Sequence, residues 1–169
     1  MALREIITVP HPTLSQKARK ISDFGPKTQT LIDDMVETLR AVPGVGLAAP
    51  QVDALIRLVV IEFGDEEDEN IPPKLYTIIN PEISRHSRET VMGTEGCLSI
   101  PDLIGDVERF ESITVKGLNR HGQPIKIKAK DWLARILQHE IDHLTGVLFT
   151  DLATEVWEPM TEEEKALID

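Results

Sequence analysis

Apolar residues recur along this chain with two periods, and the change between them marks its elements. From Lys27 to Val42, Leu31, Ile32, Met35 and Leu39 fall three and four apart, one stripe of a helix that Pro43 and Gly44 stop. "IRLVVIEF" (56–63) and "KLYTIINP" (74–81) are short apolar runs rich in β-branched residues and read as strands. "SITVKGL" and "PIKIKAK" alternate with period two, and "NRHG" (119–122) between them reads as a hairpin turn. A second helix starts near Asp131 as N-cap and stops at Gly146. Trp132, Leu133, Ile136, Leu137, Ile141 and Leu144 give it a broad apolar surface, which predicts a buried helix with strands packed around it. Strands outnumber helices and are joined by tight turns, so the pattern predicts an α+β fold rather than a doubly wound α/β one.

At 169 residues, with no repeat and no low-complexity linker, the chain is expected to form a single domain over 1–169. No apolar run approaches the length of a membrane span, and "MALREIITVP" lacks the features of a secretory signal, so a cytoplasmic location and no membrane partner are expected. The net charge is −11, from 29 acids against 18 bases. Such a surface repels phosphate backbones, which argues against a direct nucleic-acid partner. "GDEEDEN" (64–70) and "TEEEK" (161–165) read as a solvated loop and a solvated helix face. The single cysteine, Cys97, excludes an internal disulfide framework and is either packing or chemistry.

Chemistry enters with "LQHEIDHLTG" (137–146). On a helix, His139 and His143 lie one turn apart on nearly the same face, so both rings can address one ion. Glu140 falls beside that ion without having to bind it, the place for a general base acting on an activated water. A random His-Glu-x-x-His has a chance of about 1–2% in a chain of this composition. Such a group on an otherwise apolar buried helix would also be costly without a purpose.

Two histidines need a third protein ligand. A further histidine in the metzincin spacing is ruled out, because Phe149 occupies its place. A downstream glutamate, as in thermolysin-like peptidases, could be Glu162, Glu163 or Glu164, which sit in what reads as an exposed terminal helix. Cys97 in "EGCLSIP" (95–101) is the remaining route, and the favoured one, since a thiolate is a strong ligand. "GVGLAAPQ" (44–51) lacks the Gly-Lys-Ser/Thr ending of a phosphate loop and reads as a tight turn where backbone approaches a ligand closely.

Taken together and in this order, "GVGLAAPQ", "EGCLS" and "QHEIDH" resemble the three signature motifs of the peptide deformylases, and "ITVPHPTLSQKARKI" is similar to that family's N-terminal segment. The resemblance spans about residues 4–150. It implies sheets wrapped around the histidine-bearing helix, and removal of the formyl group from N-formylmethionine at the start of new polypeptides, with release of formate. Cys97, His139 and His143 would be the metal ligands and Glu140 the general acid/base. The Gln51 side-chain amide and the Leu98 backbone N–H would donate to the oxyanion, and Gly46 would bond the substrate backbone. The metal would be Fe²⁺ in the cell, replaceable by Zn²⁺, Ni²⁺ or Co²⁺. Partners would be N-formylmethionyl nascent polypeptides and, transiently, the ribosome. A methionine side chain needs an apolar slot; Val45, Ile136 and Trp132 are placed to form it, the last two lying one and two turns before the histidines.

Some family members carry arginine where Ile104 stands, proline is common at the place of Glu108 before Arg109, and some have a basic terminal helix where this tail is acidic. These departures bear on peptide contacts beyond methionine and not on the chemistry. The competing readings are a peptidase of the same His-Glu-x-x-His type using Glu163, and a module that binds metal without catalysis. The module would need neither Glu140 nor Gln51.

Overall fold

The structure is a computed structural model that describes residues 2–64 and 67–168. Asp65 and Glu66 of the acidic loop lie outside the described residues, as do the Lys165 and Ile168 side chains. Helix α1 runs Pro26–Arg40, and proline suits its first turn because no helical N–H is required there. Strands β1 (Gly46–Ala48), β2 (Leu58–Phe63) and β3 (Lys74–His86) follow, then β4 (Thr90–Cys97), β5 (Ile100–Phe110), β6 (Ser112–Leu118) and β7 (Pro124–Lys130). Helix α2 (Asp131–His143), the short α3 (Phe149–Leu152), β8 (Glu155–Trp157) and α4 (Glu162–Ile168) complete the order. All named strand pairs are antiparallel.

Two sheets result, one ordered β1-β2-β3-β6-β7 and the other β4-β5-β8. β2 explains why "LVVI" is continuously apolar: Leu58 and Val60 pack with α1, while Val59 and Ile61 pack with α2. Further along the same sheet, Ile113, Val115 and Ala129 also face α2, against Ala134, Ile136, Leu137 and Ile141. The expected α+β architecture, with sheets packed around the second helix, is what the chain adopts. No helix among the described residues is long and apolar enough to cross a membrane.

Several boundaries differ from the periodic reading. β3 continues to His86 through register shifts at Ile79/Glu82 and Ile83/Arg85, where bulges break the alternation that the sequence pattern follows. β4 and β8 have no strong pattern because most of their residues are exposed, and β1, though buried, is only three residues long. Asp131 is not the expected N-cap. Its φ is 56°, a left-handed conformation that aspartate tolerates better than most residues, and α2 has no side-chain cap. The stop at Gly146 is found: φ is 77°, and a Cβ there would meet the Ser15 backbone at 2.6 Å.

Candidate active site

Helix α2 and the β4–β5 hairpin meet along a cleft of about 850 Å³. Cys97 is the last residue of β4 and Leu98 opens the tight turn into β5. His139, Glu140 and His143 come from the second half of α2. The ligand atoms of Cys97, His139 and His143 lie within 4.8 Å of one another, the one group of that kind found among the described residues. Glu162, Glu163 and Glu164 lie exposed on α4, outside that group, so the glutamate-ligand alternative finds no support here.

The chemistry of these residues fits a cation. His143 is buried, with Nε2 3.4 Å from the Cys97 Sγ and Nδ1 without a hydrogen bond to any described residue. Burial, then the neighbouring His139 and Arg109, push its pKa down to about 3, so it presents a neutral ring with a free lone pair. His139 has the opposite balance: burial disfavours its charge, but Cys97 and Glu95 outweigh that and raise it to about 10. The pocket between this thiol and these carboxylates is built to hold positive charge. His139 Nδ1 is 2.9 Å from Glu95 Oε1, which leaves Nε2 to face the cleft, the usual carboxylate support of a metal-binding histidine.

Glu95 was absent from the predicted site, although it shares a face of β4 with Cys97 two residues on. Arg109 from β5 binds it through Nε and Nη2, both at 2.9 Å, and reaches Asp142 at 2.5 Å. Arg135 adds a third contact at 2.6 Å and also donates to the Val107 and Val91 carbonyls. Burial alone would raise the Glu95 carboxyl, but Arg109 and His139 hold it down at about 2. Glu95 and these partners come from three elements, β4, β5 and α2, and no local spacing announces them.

Glu140 is buried at the cleft, with Oε2 unpartnered among the described residues and Oε1 3.8 Å from His139 Nε2. Burial pushes its carboxyl up to about 7. A Cβ on Gly46 would lie 3.0 Å from the Glu140 side chain, so a glycine lets this backbone run against the carboxylate. Gln51 sits in a short helical turn, Ala49–Val52. Its Oε1 accepts from the Ala48 N–H at 2.9 Å, which fixes the amide so that Nε2 points at Ser99 Oγ (3.1 Å) and Cys97 Sγ (3.6 Å). Ser99 is a further contact the sequence did not single out.

Val45, Gly46, Gln51, Leu98, Trp132 and Ile136 all line the cleft with Cys97, His139 and Glu140, while His143 lies behind it. Trp132 is 45% exposed at the rim, above Arg135, and not part of the buried helix face that its spacing suggested.

The sequence pattern of the polypeptide deformylases matches residues 3–157. The chain belongs to the polypeptide deformylase family. The peptide deformylase of Symbiobacterium thermophilum is 47% identical over 169 residues, covering 98% of this chain and 75% of that protein. The crystal structure of the Thermotoga maritima peptide deformylase superposes with a TM-score of 0.84 at 34% identity, covering 92% of this chain and 100% of that one. The Ehrlichia chaffeensis peptide deformylase in complex with actinonin has the same TM-score at 37% identity, with 99% and 94% covered. The activity is that of this family: a metal-dependent hydrolase removing the formyl group from the N-terminal formylmethionine of newly made polypeptides, with release of formate.

Proposed function

We propose that Cys97, His139 and His143 hold one divalent ion and that the deformylation takes place between that group and Glu140. The observation that carries this reading is the convergence of the Cys97 thiol, the two imidazoles, the Gln51 amide and an unpartnered buried carboxylate on one cleft. When bound, the ion supplies Lewis acidity, polarising the formyl carbonyl and making water nucleophilic near neutral pH.

Glu140 takes the proton of the attacking water and delivers it to the nitrogen as the C–N bond breaks; the water oxygen leaves in formate. Burial raises this carboxyl, which favours its taking up the water's proton. Gln51 Nε2 and the Leu98 N–H donate to the oxygen of the tetrahedral intermediate. Gly46 bonds the substrate backbone, and Val45, Trp132 and Ile136 enclose the methionine side chain. Glu95, clamped by Arg109 and Arg135, fixes the His139 ring.

Fe²⁺ is the metal we assign in the cell, with Zn²⁺, Ni²⁺ or Co²⁺ as replacements; a Cys-His₂ set suits zinc equally in ligand chemistry. We further assign residues 1–169 to one catalytic domain, a cytoplasmic location, and transient contact with the ribosome. Anaerobic purification with elemental analysis, followed by formate release from a formyl-Met peptide, tests the core of this reading. One ion per chain and inhibition by actinonin are expected; a Cys97→Ala protein that retains its metal would overturn the ligand set.

A further inference from the structure

The α2 side of the large sheet is packed along its whole width, but α1 covers the other side only over β1, β2, the first half of β3 and Leu118 at the end of β6. Beyond it an open face remains, formed by β3, β6 and β7. Its residues follow from the register. Arg85, Thr114 and Lys128 form one cross-strand row, Glu82, Lys116 and Lys126 the next, and Ser112 and Lys130 a third. Strands β6 and β7 contain no acidic residue. With Arg88 in the adjoining turn, six bases are exposed here, and none forms an ion pair among the described residues. Arg85, Lys128 and Lys130 line a hollow of about 460 Å³ with His86, Ser87 and Ser112.

This segregation is unexpected on a chain of net charge −11. The acids that face it are few. Glu82 lies in the second row and is already 3.9 Å from Lys20, while Glu89, Glu111 and Asp131 lie past the strand ends. Lysines on an exposed edge strand also serve to block strand-to-strand aggregation, and that would account for Lys126, Lys128 and Lys130 on β7. It does not account for Lys116 on β6, which is paired with β3 on one side and β7 on the other.

We propose that this face is a docking surface for the phosphate backbone of RNA, read by charge and not by sequence. Closely spaced cations without acidic partners match a chain of phosphates. An acidic membrane is the poorer match, since the face carries no large apolar side chain to insert into lipid. The surface lies away from the α2 side that bears the cleft residues, so docking leaves the hydrolase site open; the proposal is independent of the roles assigned there.

The test is fluorescence anisotropy of a labelled RNA duplex titrated with the metal-loaded full chain at several salt concentrations. Two triple variants are compared, Arg85→Gln/Lys128→Gln/Lys130→Gln on the face and Lys17→Gln/Lys27→Gln/Lys74→Gln elsewhere, with equal change in net charge. Binding at 50 mM salt should weaken about 10-fold or more in the first and stay within about 3-fold in the second, with the salt slope falling by about 3 in the first alone. Formate release from a short formyl-Met peptide should be unchanged in both, showing that the fold is intact. No binding by the unmodified protein, equal loss in both triples, or equally tight binding to phosphatidylglycerol vesicles would overturn the proposal.

Discussion

At the scale of single residues, the site separates binding metal from using it. Glu140→Gln is expected to keep the metal content of the unmodified protein and lose about 10²–10⁴-fold in turnover, because an amide cannot accept a proton from water. Formate release at the original rate with full metal occupancy would remove Glu140 from the mechanism. Gln51 has a different fault line. Its amide is held by the Ala48 N–H and Ser99, so Gln51→Leu leaves the ligands in place but deletes one donor. Turnover should fall about 10²–10³-fold; a change confined to KM would make Gln51 a binding residue. Cys97 predicts a third outcome. An iron-loaded sample should lose activity in peroxide faster than a zinc-loaded one, since oxidation can strike the ion as well as the thiol. Iron-loaded enzyme still active after hours of exposure would rule this out.

Among the elements, the N-terminal segment is a strap between α1 and the donor-bearing turns. The Ala2 N–H and the Arg4 guanidinium bind Asp34 at 2.8 and 2.9 Å, and the Arg4 N–H binds Thr38 at 2.8 Å. Further on, the Ile7 N–H donates to the Gln51 carbonyl and the Val9 N–H to the Ser99 carbonyl. The Ala2 N–H, then Arg4, hold the Asp34 carboxyl below its ordinary 3.8. A depressed folded-state pKa contributes stability above the unfolded value and loses it as pH falls through the folded one. Thermal melts of Asp34→Asn should therefore differ most from the unmodified protein above about pH 4, with the gap closing at lower pH. A gap independent of pH would mean that the carboxylate's charge does nothing for the strap. The sequence announced α1, α2, β2 and the β6–β7 hairpin because each buries a periodic face. It did not announce β4 and β5, whose exposed residues and glycines obey no period, nor the left-handed turn at Asp131. The same division runs through the site. His139, Glu140 and His143 are legible because one helix spaces them, whereas the Glu95 clamp exists only once β4, β5 and α2 are assembled.

For the molecule as a whole, average properties conceal arrangement. Net charge argues against polyanions, yet the acids and bases are segregated, and the acidic tail is the extreme case. The tail also divides into two parts that its composition does not distinguish. β8 closes one edge of the small sheet by pairing Glu155, Val156 and Trp157 with Asp106, Gly105 and Ile104, and Pro159 lines the cleft. α4, by contrast, shows exposed Glu162, Glu163 and Glu164 and leaves Leu167 87% exposed. Ending the chain after Thr161 should therefore leave metal content, formate release and melting temperature essentially unchanged. Ending it after Thr154 removes the strand and one wall of the cleft. That version should lose about 1–2 kcal/mol, or roughly 2–8 °C in Tm, and show a raised KM while keeping its metal. Loss of metal from the first truncation, with the fold intact by circular dichroism, would return the third ligand to the tail glutamates and displace Cys97. Retention of metal in both, with a KM change only in the second, would place the tail's contribution in the wall of the cleft and none of it in the coordination of the ion.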